Sequence, residues 1–155
     1  YQGYPKITIL NQENKGLNVT NNIALRLSRG KYIMRLDADD YLDENALLIL
    51  SNILDSKPEV GLVYPDYYEI DPEGEIINLV RRKKIGEEVE LLDLPAHGAC
   101  TMFRKECLLQ IGGYIEEFSC QDGYEVWLSS NPDPVTFCIR SRYYEKTALS
   151  HTRYP

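Results

Sequence analysis

The sequence lacks any run of 18 apolar residues; its longest candidate, Ala46-Leu47-Leu48-Ile49-Leu50, is a short piece of amphipathic helix. A membrane-spanning helix is therefore not expected. The chain opens Tyr-Gln-Gly-Tyr-Pro, without a charged start or an apolar stretch, so no signal peptide is expected. It also lacks an initiator Met, which places the expected true N-terminus upstream. Histidine is scarce, with only His97 and His151, and Cys100, Cys107, Cys120 and Cys138 form no C-x-x-C pair. A structural zinc site needs paired ligands at short spacing and is not supported. Two disulfides are arithmetically available, but reduced thiols are the simpler expectation for a cytoplasmic protein. Basic charge is also short: 17 Lys+Arg against 24 Asp+Glu leave a net charge of −7. That balance disfavours broad binding to nucleic acid or anionic membranes, both of which select a basic field.

What is present is an ordinary globular composition, 43% hydrophobic and 26% charged over 155 residues, enough for one domain. Lys6-Ile7-Thr8-Ile9-Leu10 reads as a strand. After a polar turn, Leu17, Thr20, Ile23, Ala24 and Leu27 recur at helical spacing, and Gly30 stands where a helix-ending glycine belongs. Lys31 to Leu36 reads as the next strand. Asp43 is placed to cap a helix carrying Ala46, Leu47, Leu50, Ile53 and Leu54 on one face, and Val60 to Tyr64 is strand-like again. This βαβαβ order predicts an α/β fold with a mostly parallel sheet flanked by helices.

Further on, strand-like pieces at 66–71 and 75–80 flank the turn signal Pro72-Glu73-Gly74. The basic run Arg81-Arg82-Lys83-Lys84 follows, ordinarily a solvated face, with an anionic acceptor as its functional alternative. A strand is expected over 99–103, and a helix over 105–111 stopped by Gly112-Gly113. Another helix is expected around Trp127. Beyond Leu128 periodicity fades and Asn131-Pro132-Asp133-Pro134 interrupts the pattern.

The most informative tetrapeptide is Asp37-Ala38-Asp39-Asp40, directly after a strand. Ligands of open α/β sheets bind beyond the carboxyl ends of strands. Three carboxylates there repel one another unless a cation compensates, and a hard divalent metal does so while taking phosphate oxygens as further ligands. Helix capping by Asp40 or Asp43 is the competing reading. An EF-hand fails, because Leu42 and Leu48 stand where that loop needs Gly and Glu.

Together Asn14-Lys15-Gly16-Leu17, Asn22, Ser28-Arg29-Gly30-Lys31-Tyr32-Ile33 and Leu36-Asp37-Ala38-Asp39-Asp40 resemble family 2 glycosyltransferases of the GT-A fold. The likeness is close over roughly residues 5 to 65 and looser to residue 128. It implies a partial GT-A domain over 1–128, Rossmann-like and incomplete at its N-terminus, with 129–155 as a poorly defined tail. It further implies that Asp37 contacts the ribose or base of a nucleotide sugar and that Asp39 holds Mg²⁺ or Mn²⁺ against the diphosphate. Lys15, Gly16 and Asn22 would line the nucleotide pocket, and His97 would lie on its sugar and acceptor side. Thr20-Asn21-Asn22 replaces the family's usual Ala-Arg-Asn.

Cys120-Gln121-Asp122-Gly123-Tyr124-Glu125-Val126-Trp127-Leu128 resembles the family's base segment, with Gln121 in place of an acidic residue. The resemblance implies Asp122 as catalytic base, with Glu125 as backup; capping of the next helix is the structural alternative for Asp122. The expected activity is metal-dependent, inverting sugar transfer to a glycan or lipid-linked acceptor in surface polysaccharide synthesis. The setting would be cytoplasmic, with peripheral membrane association open. An inactive relative that only binds nucleotide sugar and metal is the alternative. Nucleotidyl transfer is a weaker one, since no Gly-rich phosphate loop stands near the start.

Overall fold

A computed structural model describes residues 4–81, 100–117 and 150–153. Its elements are α1 (Leu17–Leu27), β1 (Tyr32–Met34), β2 (Asp40–Leu42), α2 (Ala46–Ser56), β3 (Leu62–Val63), β4 (Tyr67–Ile70), β5 (Ile76–Val80), β6 (Met102–Arg104), α3 (Lys105–Gln110) and β7 (Ser150–Arg153). Two sheets result, one in the order β1-β6-β3 and one in the order β2-β7-β4-β5.

The first sheet carries the core. β6 pairs antiparallel with both β1 and β3, so those two run in the same direction without touching. The βαβαβ order correctly gives β1 and β3 a common direction, but the expected direct parallel pairing is replaced by a strand from much later in the chain. Side chains of β6 alternate between faces. Phe103 packs with Leu25, Leu62, Tyr64, Leu108 and Tyr114, while Met102 packs with Ala46, Leu50, Leu54, Val60 and Val63. Helices α1 and α3 thus cover one face and α2 the other, giving a three-layer α/β/α sandwich.

α2 follows most of its apolar stripe, with Ala46, Leu50 and Leu54 buried and Ile53 packed beside them, but Leu47, expected on the same face, is exposed. Asp43 is not its N-cap: the Asp43 carboxylate accepts from the Asn45 N–H at 2.9 Å and its carbonyl from the Ala46 N–H at 3.0 Å, an Asx turn just ahead of the helix. The other end of α2 is closed by Arg104. Its guanidinium donates to the carbonyls of Leu54, Lys57 (3.0 Å) and Val60 (2.7 Å), placing a buried cation against the negative pole of the helix.

α1 departs from its apolar pattern. Leu17 and Leu27 are exposed, and the buried stripe is Asn18, Asn22 and Leu25. Amides replace methyl groups there because this face is held by hydrogen bonds to the turn after α3. Gly30 does not end α1; the chain leaves the helix through extended Ser28. A Cβ at Gly30 would stand 2.8 Å from the Tyr32 carbonyl oxygen, which is the reason for glycine there. Residues 6–10 form no strand, and Ile7, Ile9 and Leu10 are exposed. A five-residue run needs a partner strand to become β structure, and none of the described strands lies beside it.

In the second sheet β4 and β5 form the expected hairpin around Pro72-Glu73-Gly74, with Gly74 at φ +92°. β7 lies between β2 and β4, antiparallel to the first and parallel to the second. Among the described residues no helix is long and apolar enough to cross a membrane.

Candidate functional site

The acidic turn leaves the carboxyl end of β1 and leads straight into β2. Asp40 N–H donates to the Asp37 carbonyl at 3.2 Å, closing a tight turn with Ala38 and Asp39 exposed at its tip. The segment leading into β6 anchors the approach, since the Cys100 N–H donates to the Arg35 carbonyl at 2.8 Å. β7 anchors the exit by pairing with Asp40, Tyr41 and Leu42.

The three carboxylates do not share one environment. Arg35 Nε lies 2.9 Å from one Asp37 oxygen, and Nη2 donates to the other at 2.9 Å. The Nη2 hydrogen bond holds one carboxylate oxygen, and the guanidinium beside the other supplies the compensating positive charge. Asp40 is half-buried where β2 begins. Asp39 is exposed, and its carboxylate makes no hydrogen bond or ion pair among the described residues. Among those residues no three His, Cys, Asp or Glu converge on one point. The expected three-carboxylate cluster is thus resolved into one Arg-neutralised acid, one strand acid and one free acid. Arg35 is the residue that sequence reasoning missed. The available signal was a charged residue inside an apolar strand, two positions before an acid and hence on the same face.

The donor chemistry fits a divalent cation at Asp39. A single unpaired carboxylate is a hard oxygen ligand that leaves most of the coordination shell to phosphate and water, the usual arrangement for Mg²⁺.

Lys15 and Gly16 sit at the start of α1. Gly16 has φ +88°, open space on its side-chain face, and an N–H that donates to Asn14 Oδ1 at 3.0 Å. Thr20 Oγ1 donates to the Gly16 carbonyl at 2.9 Å. Lys15 is exposed and makes no ion pair among the described residues. No acidic side chain occupies the first turn of α1, so its amino end keeps its positive pole.

Asn22 is placed differently from the pocket contact expected of it. It is 7% exposed, and its amide nitrogen donates to the Tyr114 carbonyl at 2.8 Å and to Glu116 Oε1 at 2.9 Å. Its amide oxygen accepts from the Tyr114 N–H at 2.9 Å. Asn18 Nδ2 adds a bond to the Ile115 carbonyl at 2.8 Å. Both amides tie α1 to the turn opened by Gly112 and Gly113, at φ +88° and +79°. His97, Asp122 and Glu125 lie outside the described residues. Cys100 and Cys107 are buried.

An acidic turn at a strand's carboxyl end, between helical layers, defines the ligand end of an α/β domain. The profile of Glycosyl transferase family 2 matches residues 1–112, and the chain belongs to that family, with its GT-A, Rossmann-like fold. The chain is 35% identical over 78 residues to a chondroitin synthase of Escherichia coli, covering 50% of this chain and 11% of that protein. It is 33% identical over 78 residues to a hyaluronan synthase of Pasteurella multocida, covering 50% of this chain and 8% of that protein. An uncharacterized glycosyltransferase of Methanocaldococcus jannaschii is 27% identical over 136 residues, covering 86% of this chain and 47% of its own length. The chain thus spans about a tenth of the two synthases and about half of the archaeal relative.

Proposed function

We propose that this chain carries the donor-binding region of a metal-assisted, inverting glycosyltransferase acting in surface polysaccharide assembly. The observation that carries the reading is the Arg35-held Asp37 beside the unpaired Asp39 at the end of β1, within the family 2 match. Asp37 would accept hydrogen bonds from ribose or base of a nucleotide sugar, and Asp39 would hold Mg²⁺ or Mn²⁺. The cation, when bound, would neutralise the diphosphate leaving group. Lys15 and the amino end of α1 would add positive potential toward the phosphates. Asn22 would act at a distance, by holding the 113–116 turn against α1.

Asp122 is the proposed base. It would take the proton of the acceptor hydroxyl as that oxygen bonds to the anomeric carbon and the carbon–diphosphate bond breaks on the opposite face. His97 is proposed to line the sugar and acceptor side. Chondroitin and hyaluronan synthases among the relatives support a growing glycan as acceptor, with a lipid-linked glycan as the variant. A cytoplasmic location, at most peripheral to the membrane, belongs to the same proposal, as does a GT-A unit over 1–128 with 129–155 as its tail.

Calorimetry with UDP, GDP, CDP and dTDP, with and without Mn²⁺, tests it. One nucleotide should bind in a metal-dependent manner, and Asp39→Asn should remove the dependence. Asp122→Asn should abolish sugar transfer while leaving that binding nearly intact. Metal-independent binding, or none, would overturn the reading.

A further inference from the structure

Arg35 carries a charge that the fold has largely withdrawn from water. Its side chain is 11% exposed, whereas that of Asp37 is 37% exposed. A guanidinium stays protonated under such enclosure, so its charge has to be met by an acid or by hydrogen bonds. Asp37 meets it directly: Nη2 donates to Oδ2 at 2.9 Å, and Nε lies 2.9 Å from Oδ1. Main-chain bonds pin both residues. The Arg35 carbonyl accepts from the Cys100 N–H at 2.8 Å, and the Asp37 carbonyl accepts from the Asp40 N–H at 3.2 Å. The backbone thus sets the pair, which does not depend on two long side chains finding each other in solvent.

That arrangement changes what the acidic turn offers a cation. Asp37 and Asp39 stand two residues apart, and without Arg35 they would put two uncompensated negative charges on one turn. Two neighbouring carboxylates attract any hard divalent ion, with or without a nucleotide. Among Arg35, Asp37 and Asp39, one positive charge against two negative ones leaves −1. That remaining charge sits on Asp39, exposed at the tip of the turn. One carboxylate near a guanidinium holds a bare divalent ion weakly and needs phosphate oxygens to complete its hold.

Resting on the nucleotide-sugar reading above, we infer that Arg35 is a positioning residue that reserves Asp37 for hydrogen bonds to ribose or base and keeps it off the metal. The cation is then retained only in company with the diphosphate. Such a site passes over free divalent ions between turnovers, and it releases its cation when the nucleoside diphosphate leaves. In this role Arg35 acts through Asp37 and not on the substrate.

Titration of the 155-residue chain with Mn²⁺ alone, with free Mn²⁺ read by electron paramagnetic resonance, tests the role without any sugar transfer. Wild type should bind weakly, with a dissociation constant on the order of millimolar. Arg35→Gln should bind bare Mn²⁺ about fivefold tighter or more, because a repelling charge is gone and Asp37 is freed. A merely structural Arg35 cannot produce that gain. Arg35→Lys should show no gain, since its ammonium reaches Asp37 and keeps the charge. The double variant Arg35→Gln/Asp37→Asn should return to the wild-type constant, because the pair is removed as a neutral unit. Far-UV circular dichroism checks each fold, and the wild-type constant and the double variant still decide if Arg35→Gln does not fold. An Arg35→Gln chain that folds but binds no tighter than wild type, a double variant weaker than wild type, or micromolar binding of bare Mn²⁺ by wild type would each overturn the role. Calorimetry of wild type with UDP, GDP, CDP and dTDP separates the two readings. Metal-dependent nucleotide binding without the Arg35→Gln gain removes the role of Arg35 alone, whereas metal-independent binding, or none, removes both.

Discussion

Asn22 offers a direct test of how the turn after α3 is held against α1. Replacing it with Ala removes three hydrogen bonds, two of them to the N–H and C=O of the buried residue Tyr114. Each main-chain group left unsatisfied in the interior costs about 1–3 kcal/mol. The bond to Glu116 is only part-buried, and water replaces it at little cost. The expected loss is therefore about 2–4 kcal/mol, a downward shift of about 1–2 M in the urea midpoint for a chain of this size. Gly113→Ala should cost a similar amount, because its Cβ would lie 2.5 Å from Asn22 Oδ1 at a φ of +79°. In the Asn22→Ala background the Oδ1 clash is gone, so Gly113→Ala should then cost its backbone strain, about 1 kcal/mol, and a small shift of Leu25, whose Cδ2 lies 3.2 Å from the added Cβ. Urea titrations of the two single variants and the double variant measure the coupling. A loss below about 0.5 kcal/mol for Asn22→Ala, with nucleotide affinity falling more than tenfold, would refute the clamp and make the amide a ligand contact.

Three further outcomes follow from groups described above. Arg104→Met, which removes the guanidinium from the carbonyls of Leu54, Lys57 and Val60, should lower stability by about 3 kcal/mol in thermal or urea unfolding. Thr101→Val should leave stability unchanged or raise it by about 1 kcal/mol, because the buried Thr101 hydroxyl has no hydrogen-bond partner among the described residues. The third concerns pH. Hydrogen bonds from Lys31 and Tyr32 hold the Asp55 carboxyl below its ordinary 3.8, and the bond to Asp55 holds Lys31 above 10.5. The acid's share of stability is present above pH 3.8 and is lost as pH falls through the lowered value; the lysine's share is present below 10.5 and is lost as pH rises through the raised one. Both groups are exposed, so the effect is small, and Asp55→Asn should flatten the acid arm of a stability–pH curve.

The sequence was most legible where one local rule decided the outcome. The α2 stripe, the hairpin around Pro72-Glu73-Gly74 and the glycine stop after α3 were read directly from it. Three features escaped it for one shared reason: each depends on a partner distant in sequence. The slot that β6 fills between β1 and β3 depends on a strand from far down the chain. The amide stripe of α1 has meaning only against Tyr114 and Ile115. Ser150–Arg153, in a stretch without periodicity, becomes β7 because two strands offer it their edges. At the site, the position of the acidic turn was readable, whereas the division of labour among its acids was not. That division comes from Arg35, whose charge inside a strand reads as an ordinary surface residue until its fork meets Asp37.

The place of β7 has a consequence for how the protein is made. Residues 40–42 leave the acidic turn as a strand whose described partner is residues 150–153. On the ribosome the turn and everything through β5 emerge first, and Asp40 to Leu42 wait with open backbone groups until the far later segment has been synthesised. The acidic turn therefore leads into a strand that stays without its described partner until β7 has been translated. During that interval a chaperone that shields extended segments has its reason to engage residues 40–42. Premature termination before residue 150 would leave that strand without its described partner, although Asp37 and Asp39 themselves had long been translated.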